Sequence, residues 1–586
     1  MLRKTVLAVC LFALTPWFHS LAQQKKEVTG EWDGTIAGKL RIIVRLEPGA
    51  DKALHGSLES VDQGHLKIDV DEMSIDGTKV QLEMKKIGAS YNAELSADGS
   101  ELVGTWQQGG ARVPLTLRRP GAVRAELKPT VRGRISLNPC PAGDGQGLCG
   151  SYEVYENRVT KTGRKIALHI LILPALAEKP AADAVFGFGG GPGQAASEAY
   201  PFATFVAALR KQRDIVLIDQ RGTGQSNPLR CAYDESSIQA LLSGPSFVKD
   251  LDACRKELDT KADLTQYTTS IAADDADEVR DALGYEKIDL LGGSYGTLAA
   301  LVYLRQHGDH VRSGVLEGVA PPDYRLPLPF AKTIQSALDH LFADCAADAK
   351  CHANFPNLKS EFETVVKRLD AAPATFEFPG ADGKPQTVTL SRGAFVSGLR
   401  PMLYQPAIVS RLPYILHRAF ENDFKLYTTA ENAMRRAVNQ SIARGLAFSV
   451  DCSDAVPFIT EGDIARETAG TYLGDFDVRT HEKICDAWPH AKVSRDFLDP
   501  VRSDAPMLLI SGEEDPATPP WLAQHAAEKL THASVVAIPK GTHLTGAECI
   551  DHMIEQFVAQ GSMSGIDTGC VNEVRNPAFF APGPAK

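Results

Sequence analysis

KIDLLGGSYGTLAALVYLRQHG, residues 287–308, decides the fold. Its first part, KIDLL, is apolar and β-prone, and it runs into Gly292-Gly293-Ser294-Tyr295-Gly296. The remainder has the composition and spacing of a helix. A serine between glycines at a strand-to-helix junction has a physical rationale. The turn is sharp enough to push the hydroxyl outward, and only small residues let strand and helix crowd together on either side. Tyr295 then begins the helix, and its backbone N–H has no intrahelical acceptor. It is free to serve an oxygen anion forming beside the serine.

Working outward, similar apolar runs recur on both sides: IALHILILP, AVFGFGG, DIVLIDQ, SGVLEGV, PMLLISG and SVVAIPK. Helical stretches separate several of them. Apolar strands alternating with helices imply a mostly parallel sheet with helices on both faces. The alternation breaks off over residues 321–499, which are helix-rich, as in FAKTIQSALDHLFADCAA. Such an insertion before the last strands is expected to form a mainly helical lid. The core is therefore expected in two parts, 121–320 and 500–586. Ahead of it, residues 23–120 carry short alternating segments, such as LRIIVRLE and KVQLEMKKI, punctuated by EPGAD, IDGTK and SADGS. These read as a small all-β barrel or sandwich with Trp32 and Trp106 as core aromatics. A Pro/Gly-rich stretch, LNPCPAGDGQGLCG, links the two regions.

The serine elbow predicts an acid and then a histidine further along the chain. APMLLISGEEDPATPP is a strand ending in three acids, and Asp515 opens the turn before Pro516, with Glu513 and Glu514 as competitors. ASVVAIPKGTHLTG is the next strand, with His543 in the loop beyond it. A serine hydroxyl is a weak nucleophile until a base takes its proton. His543 is placed for that role, and Asp515 for fixing its tautomer. This chemistry needs no metal and no organic cofactor. FGFGGGPGQA follows an early strand; it lacks the lysine and the register of a phosphate loop, and it suits a second oxyanion donor. In IVLIDQRGTGQSNP, Asp219 and Arg221 are expected to brace a loop rather than to react.

Taken together, GGGPG, DQRGTGQS, GGSYGT and GEEDPATP resemble the proline iminopeptidase and tripeptidyl aminopeptidase group of α/β-hydrolases, over about Tyr152 to Cys570. LAFSVDCSDAVP and the cysteine-bearing C-terminal segment look more like the secreted tripeptidyl aminopeptidases. The resemblance implies the α/β-hydrolase fold and a triad of Ser294, Asp515 and His543. It implies Tyr295 and Gly191 as oxyanion donors. Gly189 stands where the group usually has histidine. The resemblance also implies peptide substrates with a free N-terminus, from which one to three residues are released. Their ammonium group calls for a carboxylate. Glu317, at the end of SGVLEG, is the first candidate; Asp451 and Asp454, in the lid segment beside Cys452, are the others. An esterase with the same triad and a non-catalytic secreted binding protein are the competing readings.

Residues 1–22 have the form of a secretory leader: Arg3 and Lys4, an apolar run from Thr5 to about Leu14, then Ser20 and Ala22 before a cut. Removing it takes the net charge from −11 to −13. No later stretch is long and apolar enough for a membrane span. The acidic balance, without a basic stripe, argues against nucleic acid as a partner. Cysteine usage agrees with export. Of 11 cysteines, Cys10 would leave with the leader. The rest fall in order into local pairs: 140/149, 231/254, 345/351, 452/485 and 549/570. The sequence leaves that connectivity open. A metal site at Cys345, Cys351 and His352 is the rival, without the C-x-x-C spacing of zinc.

Overall fold

A computed structural model describes residues 28–49, 53–121, 127–143, 145–232, 236–242 and 248–582. The expected leader, with Cys10, lies outside them. The chain divides into two compact units, Met1–Gln108 with Leu115–Arg124, and Gly109–Pro114 with Ala125–Lys586.

The first unit is built on one nine-stranded sheet whose neighbouring strands pair antiparallel. Leu66–Asp69 and Glu72–Asp76 stand at opposite ends of the strand order, yet only Val70 and Asp71 separate them in the chain. The sheet must therefore curl back on itself, as a barrel does. Strict alternation fills its inside, as in Lys79–Met84, where Val80, Leu82 and Met84 are buried and the residues between are exposed. Trp32 is wholly buried and Trp106 nearly so, both as core aromatics. The Trp32 indole N–H donates to the Val28 carbonyl, which meets its one polar need.

The second unit is organised around a ten-stranded sheet. Its strands are β1 (Thr130–Arg132), β2 (Ile135–Ala142), β3 (Gly145–Tyr155), β4 (Lys165–Leu173), β5 (Ala184–Phe188), β6 (Ile215–Ile218), β7 (Ile288–Gly293), β8 (Val311–Glu317), β9 (Met507–Gly512) and β10 (Ala533–Ile538). They lie in the order β1-β2-β3-β4-β6-β5-β7-β8-β9-β10. From β6 onward every pairing is parallel, and the four leading strands are antiparallel. All seven apolar runs of the sequence became strands of this sheet.

Helices cover both faces. Leu290, Leu316 and Leu509 point to the side of α2 (Thr269–Leu283) and α3 (Tyr295–His307). Leu291, Val315, Leu508 and Ile510 point to the side of α1 (Thr204–Leu209) and α8 (Glu548–Gln560). The strand order reverses around β5, so the loops after β5 and β7 open a crevice at the carboxyl ends of the strands, where such sheets bind ligands.

The Pro/Gly-rich link is a finding against expectation. It forms the hairpin of β2 and β3, paired from Asn138↔Cys149 to Ala142↔Gly145 and closed by the Cys140–Cys149 disulfide. Pro139 and Pro141 are tolerated because β1 pairs only with Ile135–Leu137, leaving the rest of β2 as an edge. The other four disulfides join Cys231–Cys254, Cys345–Cys351, Cys452–Cys485 and Cys549–Cys570, so Cys345 and Cys351 are not metal ligands.

Between β8 and β9 the chain is mostly helical. It includes α4 (Phe330–Ala347), α5 (Arg392–Leu403), α6 (Arg444–Val450) and α7 (Phe476–Ala487). It also holds a hairpin of Ala374–Pro379 with Pro385–Leu390, which the sequence reading did not single out. Its alternation is short, and one face is solvated, so it carries little hydrophobic signal.

Candidate active site

The elbow forms because its glycines leave no room for anything larger. A Cβ on Gly292 would stand 2.5 Å from the Gly296 carbonyl, and one on Gly296 would stand 2.1 Å from that of Phe188. Between them Ser294 is held at φ 56°, ψ −126°, a conformation costly for any residue with a side chain. The surroundings fix it there. Ser294 N–H donates to the Glu317 carbonyl at 2.9 Å, tying the turn to the end of β8. Thr297 Oγ donates to the Ser294 carbonyl at 2.6 Å and accepts from Ala320 N–H at 2.8 Å.

Asp515 lies in the turn after β9 and is wholly buried. Its Oδ1 accepts from the backbone N–H groups of Ala517 (2.7 Å) and Thr518 (2.9 Å), an Asx-type turn. Its Oδ2 meets His543 Nδ1 at 2.8 Å and the Thr518 hydroxyl at 2.8 Å. Burial alone would raise this carboxyl. The imidazole and the donors outweigh it and hold Asp515 below the usual carboxylate range. The competing acids are engaged elsewhere. Glu513 is exposed, and Glu514 pairs with Lys540 at 3.0 Å and accepts from Asn576 at 2.9 Å. His543 is packed flat against Tyr404, with ring centroids 4.4 Å apart and planes 24° from parallel.

The glycine loop after β5 passes over the serine. A Cβ on Gly190 would lie 3.7 Å from Ser294 Cβ, and Gly191 follows at φ +109°, which disfavours any other residue. Backbone N–H groups of this loop can thus approach a group bound at Ser294, facing that of Tyr295. Asp219 and Arg221 brace the neighbouring loop. Asp219 accepts from the N–H groups of Ser197 and Gln225, and the buried Arg221 pairs with Asp275 through two nitrogens.

A cavity of about 420 Å³ opens beside the serine, lined by Gly190, Tyr200, Gly293, Glu317, Tyr404 and His543 among others. Glu317 is pushed up to about 8 by burial, with Asp551 adding repulsion; Asp551 is paired with Arg112 at 2.9 Å, and no ion pair reaches Glu317 among the described residues. Asp451 and Asp454 sit elsewhere, on a π-helical turn that extends α6. Burial pushes Asp451 up to about 8 and Asp454 to about 6. Asp454 accepts from Thr269 N–H at 2.9 Å, while Thr269 Oγ meets the Tyr295 hydroxyl at 2.7 Å. One carboxylate oxygen of each aspartate is buried without a partner among the described residues. The structure therefore brings Asp515, His543 and Glu317 to the elbow, and sets the two aspartates behind Tyr295, in the mostly helical segment between β8 and β9. Thr518 and Tyr404 escaped the sequence reading. The D-x-x-T spacing of Asp515 and Thr518 was the available signal for the first; nothing local marks the second.

Residues 183–363 match the family described as alpha/beta hydrolase fold, and residues 472–570 match the family of TAP-like proteins. The chain has the α/β-hydrolase fold. Several of its relatives carry peptidase names. It is 26% identical over 469 residues to serine protease Hip1 of Mycobacterium tuberculosis, covering 73% of this chain and 88% of that protein. It is 24% identical over 392 residues to tripeptidyl aminopeptidase of Streptomyces coelicolor, covering 62% of this chain and 71% of that one. A stretch of 105 residues is 31% identical to proline iminopeptidase of Neisseria gonorrhoeae, 18% of this chain and 24% of that one. These likenesses make it a serine hydrolase of the peptidase type.

Proposed function

We propose that the protein is an exported aminopeptidase that releases short N-terminal pieces, one to three residues long, from peptides. Ser294 Oγ attacks the carbonyl carbon of the scissile bond while His543 takes its proton. Asp515 holds the ring and stabilises the imidazolium. The N–H groups of Tyr295 and Gly191 receive the developing oxyanion. His543 returns the proton to the departing amine, leaving an acyl-enzyme on Ser294. Water, deprotonated by the same histidine, then releases the N-terminal piece.

The observation that carries this reading is Glu317, a buried carboxyl in the cavity that also holds His543, with no ion pair among the described residues, Arg112 of the same cavity being bonded to Asp551. A carboxyl so desolvated keeps its proton at neutral pH, and a ligand's cation would favour its ionised form. The ammonium of a peptide N-terminus is such a cation. Asp451 and Asp454, buried on the π-helical turn, are the alternative carboxyls for the ammonium. Five disulfides support export to an oxidising compartment, periplasmic or extracellular.

The test compares aminoacyl and tripeptidyl amides with their N-acetylated forms and with simple esters. Breaking one side of a desolvated ion pair costs roughly 3–5 kcal/mol, a factor of hundreds or more. Acetylated amides should be cleaved that much more slowly. Equal cleavage of free and blocked substrates would instead indicate an esterase or an endo-acting hydrolase on the same fold.

A further inference from the structure

We propose that Tyr404, held by Arg400, is the positioning residue that sets the tilt of the His543 ring. The inference rests on the triad reading above and adds a part of the machinery that comes from the lid. A triad histidine needs two restraints. Asp515 Oδ2 at 2.8 Å and the Thr518 hydroxyl at 3.2 Å both hold Nδ1, but contacts at that one atom still let the ring turn. That rotation swings Nε2 away from the serine. A flat surface against the ring face removes it, and the Tyr404 ring is such a surface, 4.4 Å away and 24° from parallel.

Tyr404 is itself constrained on two sides. Its hydroxyl accepts from Arg400 Nη1 at 2.9 Å, and its backbone carbonyl accepts from Thr542 Oγ at 3.1 Å. Thr542 directly precedes His543, so the tyrosine is tied to the loop that carries the imidazole. Arg400 stands one turn back on α5, with its guanidinium carbon 3.9 Å from the centroid of the Phe330 ring. Two aromatic rings and one guanidinium thus connect α4, α5 and the histidine loop. An aromatic face also favours the imidazolium that forms as Ser294 loses its proton.

The placement has a kinetic meaning. Misplacing a reacting group by about 1 Å can cost on the order of 100-fold. The ring face contributes this during proton transfer, so its loss belongs in kcat rather than in KM.

The experiment uses the full-length protein and two readouts. One is the rate at which a fluorophosphonate probe labels Ser294, which needs the histidine but no peptide contacts. The other is kcat and KM on a free-amine tripeptidyl amide. Tyr404→Phe keeps the ring, while Tyr404→Leu and Tyr404→Met keep bulk without one. The two ring-less variants are measured in parallel, and thermal melting shows which are folded. Labelling and kcat should fall about 10- to 100-fold in the folded ring-less variants. KM should stay within about twofold, and Tyr404→Phe should recover most of the rate. Arg400→Gln should lie between. Ring-less variants that label at the wild-type rate would overturn the inference. So would a loss confined to KM, or a Phe variant as slow as Leu. Ser294→Ala is the control: if it still takes the probe at the wild-type rate, the triad reading fails, and this inference with it.

Discussion

The hydroxyl of Thr518 stands 3.2 Å from His543 Nδ1 and donates to Asp515 Oδ2, the same oxygen the imidazole reaches. The three groups form a triangle in which Asp515 is wholly buried. A carboxylate in that position needs donors to stay ionised, and Thr518 supplies two, its hydroxyl and its backbone N–H. Thr518→Val keeps the shape and removes the hydroxyl. Hydrogen bonds to charged groups are worth ~1.5–3 kcal/mol, so kcat should drop about tenfold or more. Thr518→Ser should restore most of it. A Val variant with unchanged kcat would show the hydroxyl to be dispensable.

The triad residues should behave as a unit. Ser294→Ala removes only a hydroxyl and should cost several orders of magnitude in turnover without disturbing the fold. Asp515→Asn should cost nearly as much, because the amide disfavours the required imidazole tautomer. Glu513→Gln and Glu514→Gln should cost little, since one is exposed and the other is bound to Lys540 and Asn576. Steady-state assays of the four variants settle the choice of acid. A damaging glutamate change would move the acid role away from Asp515.

Much of this site was legible because its chemistry forces local patterns. The elbow needs Gly292 and Gly296 at contacts of 2.5 and 2.1 Å, so a G-x-S-x-G between a strand and a helix carries geometric information. Asp515 and His543 follow the ends of β9 and β10, whose apolar runs are visible in the chain. The β2–β3 hairpin was hidden because Pro139, Pro141 and three nearby glycines mask its alternation. Tyr404 could not be read at all. It reaches His543 across 139 residues of chain, from a helix whose sequence fixes only which of its own faces is buried. The same holds for Asp451 and Asp454. Their carboxylates are recognisable, but their position behind Tyr295 depends on how α6 packs.

The Cys452–Cys485 disulfide should control binding more than chemistry. Cys452 lies between Asp451 and Asp454 on the π-helical turn, and Cys485 is in α7. Closing a loop with a sequence separation of 33 is worth roughly 3–4 kcal/mol in the chain-entropy view. The double change Cys452→Ser, Cys485→Ser should lower the melting temperature and raise KM for free-amine peptides. It should leave fluorophosphonate labelling of Ser294 near the wild-type rate. Equal losses in labelling and in KM would mean that the lid and the triad are one cooperative unit.

Glu317 should make ligand binding depend on pH in a direction that its burial fixes. Its carboxyl is raised to about 8, so the folded enzyme holds this proton through neutral pH, where the unfolded chain has lost it. Stability from this group is therefore full below the unfolded value and declines as pH rises toward about 8. Binding follows the same proton. An ammonium stabilises the ionised form, so a peptide that binds Glu317 below about pH 8 must expel a proton. Affinity for free-amine peptides should rise from pH 6 to about 8, then fall as the α-amine itself, with a pKa of about 7.7–8.0, loses its charge. Asp551, Tyr200, Arg112 and His543 line the same cavity as Glu317; Arg112 is bonded to Asp551 at 2.9 Å and His543 to Asp515 at 2.8 Å. Calorimetry of a product tripeptide binding to Ser294→Ala protein, run in two buffers of different ionisation heat, counts the proton directly. About one should be released near pH 7 by the free-amine peptide and none by its acetylated form. Glu317→Gln should abolish the release and flatten the pH dependence, while Asp451→Asn should not. If the release vanishes with Asp451 instead, the ammonium sits in the lid, and Glu317 loses the role proposed for it.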